Sequence, residues 1–535
     1  MSLKSNLLHY FNHLEKLQIN YHNFVMQTFI YICMKQTSLL LSFMLSMSLT
    51  AFAGEYNILD YGAIPDGQTI TTSNIQNTID ACHSNGGGRV VVPAGNYLTG
   101  TLNLRSNVEF HFENGARLIA TLDLSQYQRH NEQLAGVFYT DGQSNVSITG
   151  KGEIFGQGME FMFKDTPKRI GLQERLQTRQ GEKFRHVSEG IGDGPLEPKE
   201  RFHQMIVFTE CQNITLRDFL CKDSPFWCFV IVHCSQVIID GLIIDNNLLI
   251  PNSDGIDVIS SSDVNISNCT LKCGDDALVL AGYGWHQGDP GFKNLSTPST
   301  NINVSNCILQ SRSSGIRIGG HDQNPMSNFN FSNITIIDSN RGINISVSDS
   351  CPLENVTFNN IRIETRLHTG DWWGQGEPIN ITAMQLDPRK PDLGVIRNLF
   401  FNNITSIGEN SVVMIADSQT CLENIFFNNF EFKIRRSAIE DTAGGNYDLR
   451  LNCHEGRQLY PADEPVFYIE NAKNVIFTNG IIGWDGADMP YHTHAIDAIE
   501  VHGLTVRNVN ASSAPSNGKL KAVRTRNCTN VKITK

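Results

Sequence analysis

Three carboxylates carry the chemistry this sequence offers. Asp254 lies in Pro251-Asn252-Ser253-Asp254-Gly255-Ile256-Asp257, and Asp275 and Asp276 follow in Gly274-Asp275-Asp276. Cleaving a glycosidic bond by acid/base catalysis needs such a crowd. One carboxyl gives a proton to the leaving oxygen while another draws a proton from water. Three crowded carboxylates do not all ionise cheaply, so one is expected to hold a proton near neutral pH. A single Asp-Gly is more commonly a turn; two such segments about one structural repeat apart are not explained that way. What must position them is the rest of the chain.

From about residue 144 one phrase keeps returning, a polar residue, then alternating apolar and polar residues, then Asn. It stands at Asn145-Val146-Ser147-Ile148, Asp263-Val264-Asn265-Ile266-Ser267-Asn268-Cys269 and Asn301-Ile302-Asn303-Val304-Ser305-Asn306-Cys307, with later copies through Asn474 to Asn479. The step is roughly 23–27 residues, longer where loops intervene, which is a solenoid period. Period-two alternation marks strands with one buried face, and no helical pattern separates them. Stacked coils bury a continuous core. The expected fold is all-β, a single right-handed parallel β-helix with inserted loops. A helix near Ser73–Ser84 is expected to cap its N-terminal end. The recurrent Asn is expected at inward-turning corners, bonding backbone and stacking on the Asn of the next coil.

The N-terminal region has a different character. Lys35, the apolar run Leu39–Leu49 and Ala51-Phe52-Ala53 form the three parts of a secretory signal. The expected division is an upstream extension at 1–33, a signal peptide at 34–53 and the β-helix at 54–535. The apolar run is shorter than the roughly 20 residues of a membrane span. The protein is therefore expected to be exported, periplasmic or extracellular, with no span in the mature chain. A net charge of −12 without a basic run excludes nucleic acid as a natural partner. Of thirteen cysteines, Cys211, Cys234, Cys269 and Cys307 recur at matching points of the repeat. That suits buried ladder positions better than disulfides. No Cys-x-x-Cys pair suggests zinc.

The motifs together resemble glycoside hydrolase family 28, the polygalacturonase-like pectin hydrolases. The resemblance rests on Tyr61-Gly62-Ala63-Ile64-Pro65-Asp66-Gly67, on Pro93-Ala94-Gly95-Asn96-Tyr97-Leu98, and more specifically on Ser224-Pro225-Phe226-Trp227, Asn252-Ser253-Asp254 and Gly274-Asp275-Asp276. It implies Asp275 as general acid, Asp254 and Asp276 as activators of the attacking water, inversion at the anomeric carbon, and no metal or organic cofactor. It implies a pectic polysaccharide or oligosaccharide as partner; a monomer is expected. A β-helix polysaccharide lyase and a non-catalytic carbohydrate-binding β-helix are the rival readings.

Two family elements are absent. Ser314 stands where the family has a histidine, and Asn344-Ile345-Ser346 where it has an Arg-x-Lys clamp for a uronate carboxylate. Neutral amide and hydroxyl groups do not neutralise a uronate. Arg317 and Arg341 are the candidate replacements for the clamp, and His286, beside Trp285, or His321, beside Asp322, for the histidine. Asn252 is a further candidate contact. Trp372 and Trp373, in an inserted loop, are expected to be exposed and to stack on sugar faces. The polar segment Lys164 to Arg201, with a helical stretch near Leu172–Arg179, is expected to leave the coil and wall one end of the groove.

Overall fold

The computed structural model describes residues 3–47, 54–130, 132–168, 177–284, 286, 288–387, 389, 392–450, 453 and 457–534. The chain divides into two compact units, Met1–Ala53 and Gly54–Lys535. The first contains one α-helix, α1 (Leu3–Met47), which continues unbroken past residue 34. Among the described residues no helix is long and apolar enough to cross a membrane. The expected cleavage site, Ala51 to Ala53, lies outside the described residues, as do Trp285 and most of Leu172–Arg179.

The second unit is a right-handed parallel β-helix. A coil is made of three short strands, such as Trp227–Val232, Ser235–Asp240 and Ile243–Asp245. These pair in parallel with Ile256–Ile259, Ser262–Ser267 and Thr270–Cys273 of the next coil. The alternation read from the sequence is the reason. In the phrase 263–269, Val264, Ile266 and Cys269 are buried while Asp263, Asn265 and Asn268 are exposed. Equivalent side chains then stack coil on coil. Phe331, Phe358, Phe401 and Phe427 lie ring on ring with centroids 4.8, 4.9 and 4.6 Å apart, the separation of hydrogen-bonded strands. Helix α2 (Thr72–Ser84) buries Ile75, Thr78, Ile79 and Cys82 against the first strands, so the first coil does not present its core to water.

The asparagines differ from expectation. They form ladders, but on exposed corners rather than inward ones. Asn328 Nδ2 donates to Asn301 Oδ1, and Asn333 Nδ2 to Asn306 Oδ1, with exposed side chains. Their φ angles are positive, 61° at Asn328 and 55° at Asn333, a conformation Asn tolerates better than most residues. The corner therefore selects Asn for its backbone, and the side chain bonds its neighbour instead of the main chain. The cysteines are all free thiols. Cys211, Cys234, Cys269 and Cys307 occupy two stacks rather than one: the Cys211 N–H donates to Cys234 Sγ, while Cys269 pairs with Cys307.

Among the described residues, three of the excursions that leave the coil on the side of the carboxylates contact one another. The first, after Met162–Pro167, returns through Leu196–Pro198, which pairs with it antiparallel. The second follows Leu353–Thr365, and the third, with its own hairpin of Asn446–Asp448 and Leu459–Pro461, follows Leu422–Arg435. They interlock. Arg179 of the first donates to Gly445 and Ala462 of the third, and Arg185 of the first donates to Trp372 O of the second at 2.7 Å.

Candidate active site

Two glycines allow the carboxylates to meet. A Cβ on Gly255 would lie 2.3 Å from Ala277 O, and one on Gly274 2.2 Å from Ile250 O. The two segments thus pack closer than any side chain permits. Ladder bonds fix their register, with Gly255 N donating to Asp276 O at 2.9 Å. Asp254, Asp275 and Asp276 each present an oxygen within 4.8 Å of the other two. All three are buried, at 3–5% exposure, on the floor of a cleft of about 390 Å³.

Their surroundings differ. Asp275 accepts the Asn252 N–H at 3.2 Å and the Asp276 N–H at 3.1 Å. Burial first, and then Asp276, push its carboxyl up to about 7, against the pull of Lys168, Arg317 and the Asn252 N–H. Burial, followed by Asp275, Asp257 and Asp276, drives Asp254 well above the usual carboxylate range. Asp254 Oδ1 is buried and accepts no hydrogen bond among the described residues. Asp276 accepts the Ser314 N–H at 2.8 Å and Arg317 Nη1 at 3.3 Å. Asp257 is a fourth buried carboxylate, raised by burial and then by Asp276.

The expected partners gather unevenly. Asn252, His286, His321, Arg317, Arg341 and Trp373 all line the cleft with the three aspartates. Trp372 does not. It is 2% exposed, and its indole N–H donates to Asp193 O at 3.2 Å. The expectation of a tandem sugar platform is thus corrected, because Trp372 plugs the base of its own loop and Trp373 alone faces the cleft. Arg341 is 1% exposed, bonded to Glu377 Oε2 at 3.2 Å and to the backbone of Asp448 and Arg450. Its guanidinium holds the wall together and is not a vacant clamp. Arg317 is shared between Asp276 and Tyr283 Oη. His321 Nδ1 lies 3.1 Å from Ser348 Oγ. Where the family clamp would stand, Asn344 accepts Asn380 Nδ2 at 2.9 Å.

The sequence reading missed several residues. Arg450 lines the far wall, 2.8 Å from Asp448 and with its guanidinium 5.1 Å from the Trp373 ring centre. Tyr283 and His203 line the cleft. Arg201 donates to Pro251 O at 2.9 Å and to Asn252 Oδ1 at 3.3 Å, fixing the backbone beside the acid. Arg450 and His203 sit in stretches without a repeat phrase, so nothing local marked them. Phe226-Trp227, already quoted as a motif, was the available pointer to the aromatic side of the cleft.

By proximity alone the three aspartates could also hold a metal ion. Calcium takes six to eight oxygen ligands, and here the guanidinium of Arg317 and three backbone N–H groups occupy carboxylate oxygens instead. This donor set fits acid/base work.

The model of "Glycosyl hydrolases family 28" matches residues 82–370, a span that contains the whole aspartate set, and this chain belongs to that family. A maize (Zea mays) exopolygalacturonase is 26% identical over 287 residues, covering 50% of this chain and 63% of the relative. The match therefore spans less than two thirds of that relative. Among solved structures, an exopolygalacturonase from Thermotoga maritima superposes with a TM-score of 0.55 at 23% identity, over 72% of this chain and 87% of its own. A family 28 exopolygalacturonase from Yersinia enterocolitica gives 0.57 at 16% identity, over 90% and 78%. These likenesses support the fold.

Proposed function

We propose that this protein is an exported glycosidase that hydrolyses a pectic polysaccharide or oligosaccharide from a chain end. The observation that carries the reading is the set of Asp254, Asp275 and Asp276 within 4.8 Å of one another on the floor of one cleft. Asp275, held up to about 7, gives its proton to the glycosidic oxygen as the bond to the anomeric carbon breaks. A water attacks that carbon. Asp276, steadied by Arg317, takes the water's proton, and the unpartnered Asp254 Oδ1 accepts the water's second O–H.

A two-carboxylate site with groups about 5–5.5 Å apart points to retention. Here two carboxylates seat the water while the third acts as acid, and we assign inversion. The interlocked excursions support end-on action. Trp373, Arg450 and Arg341 line one wall of the cleft, and we read that wall as the stop for an internal stretch of polymer. The relatives' name, exopolygalacturonase, agrees. Export rests on the leader-like residues 34–53, and the N-terminal sequence of protein recovered outside the cell checks it.

The test is product analysis on polygalacturonate and on rhamnogalacturonan, with Asp275→Asn beside the wild type. Small saturated products appearing without a rapid fall in viscosity, and vanishing in the variant, are expected. Unsaturated products lost on chelation would replace hydrolysis with elimination. A first-formed anomer of retained configuration would overturn the assignment of inversion.

A further inference from the structure

The guanidiniums lining the catalytic cleft are all matched to carboxylates. Arg317 lies 3.3 Å from Asp276, Arg341 3.2 Å from Glu377 and Arg450 2.8 Å from Asp448. A uronate entering this cleft needs a cation that is not already paired in this way.

Two imidazoles on the cleft wall are built differently. His203 Nδ1 lies 2.8 Å from Asp289 Oδ1, and His286 Nδ1 lies 2.7 Å from Asp289 Oδ2. Asp289 is 3% exposed. Burial alone would raise its carboxyl, but the hydrogen bonds from His203 and His286 outweigh burial and hold it at about 2. An ionised Asp289 offers acceptors to both rings, so each Nδ1 carries a proton and each Nε2 is the ring's remaining polar atom. The histidine side chains are 25% and 24% exposed. Their planes are set by packing, His203 on Phe226 with centroids 4.6 Å apart, and His286 among Trp227 at 5.0 Å, Tyr283 at 5.5 Å and Phe292 at 5.8 Å.

We propose that His203 and His286 form a fork, clamped through Asp289, whose Nε2 atoms bind the carboxylate of a uronate residue of the substrate. The proposal rests on the hydrolase reading and names the charge class of its substrate. With both rings protonated, the fork carries two positive charges against the single charge of Asp289. The other charged groups nearby include Arg201, 4.7 Å from the Phe226 ring centre, Arg129, Glu132, Lys199 and Glu200 around His203, Lys168 beside Asn252, Arg317, bonded to Tyr283, and the three catalytic aspartates in the same cleft. The fork stands in place of the absent Arg-x-Lys clamp, from loop positions flanking the coil strands and with different chemistry.

Asparagine and glutamine separate the fork from a merely structural role. The Asn amide nitrogen reaches the place of Nδ1 and keeps the bond to Asp289 while deleting Nε2; the Gln nitrogen reaches the place of Nε2. Trigalacturonate and its methyl ester are titrated into the full-length Asp275→Asn protein by calorimetry under mildly acidic conditions. Adding His203→Asn or His286→Asn is expected to weaken trigalacturonate about 10-fold or more, the loss of one charge-assisted hydrogen bond. The ester is expected to change by less than about 2-fold, and His286→Gln to restore part of the loss. Either single variant suffices if the other does not fold. Equal weakening of both ligands, no weakening, or no trigalacturonate binding by the parent overturns the fork. Fork-dependent binding in a protein whose wild type cleaves neither polymer would keep the fork and overturn the hydrolase reading.

Discussion

The two sides of the cleft are built by opposite means. On the acid side, Asp254, Asp275 and Asp276 come from adjacent coils, and ladder bonds such as Gly255 N to Asp276 O at 2.9 Å fix them. On the far side, Trp373 and Arg450 come from excursions that close over Arg341 at the start of a coil strand, and their contacts join distant parts of the chain. Arg450 bonds Trp372 O across 78 positions, and Arg179 bonds Ala462 O across 283. A solenoid positions groups well along its own period. It positions nothing beyond the coil, and there this protein relies on buried charge.

The largest expected effect tests the acid side. Asp275→Asn should lower kcat by about 10²–10⁴-fold, the usual contribution of a positioned general acid, read by product release. Wild-type activity should fall about tenfold per pH unit above about 7, as Asp275 loses its proton. The same group carries a stability signature that runs in the same direction with pH. Its carboxyl is raised in the folded state, so the folded protein binds the proton more tightly than the unfolded chain. Stability from this group is then full below about pH 4 and is lost as pH rises through about 7. Asp275→Asn should therefore raise the melting temperature above pH 7 while abolishing turnover. A variant that loses activity and is also less stable at pH 8 would break the claim that burying this carboxyl costs the fold stability.

The far side should behave in reverse. Arg341 and Glu377 are both buried, and removing one partner of such a pair leaves an uncompensated charge costing about 3–5 kcal/mol. Arg341→Ala should lower the melting temperature sharply, whereas Arg341→Met with Glu377→Leu should recover much of the loss. If Arg341→Ala melts like the wild type yet loses uronate binding, the residue is a clamp after all and the contrast between the sides fails.

What the sequence disclosed follows the same division. The solenoid, its capping helix and the three aspartates repeat or neighbour one another along the chain, so periodicity and motif sufficed to find them. Arg317 was found as a cation but not as the partner of Asp276, because pairing across coils depends on register. Trp372 and Trp373 were indistinguishable as letters. Which one faces the cleft was decided by Asp193 and Arg185, each well over a hundred positions away. His203 and Arg450 had no local pattern at all. The tryptophans give a further test: Trp372→Ala should cost about 3–5 kcal/mol of stability as a core truncation, while Trp373→Ala should raise KM with little effect on melting.

The smallest effect belongs to the regular coil and sharpens the comparison most. Asn333 is exposed, donates to Asn306 Oδ1 at 3.2 Å, accepts from Asn360 at 3.1 Å, and sits at φ 55°. Two things are lost in Asn333→Ala: exposed side-chain bonds, and a residue that tolerates the left-handed backbone, where alanine costs roughly 1–2 kcal/mol. Asn333→Gly loses the same bonds but meets no such penalty in the folded state. If the backbone selects the residue, glycine should melt higher than alanine by a few degrees, and both should keep full activity. If the ladder bonds select it, the two variants should melt together below the wild type. The first result would mean that the coil positions its carboxylates through backbone geometry repeated at every corner, whereas the far wall depends on a few buried ion pairs with no such redundancy.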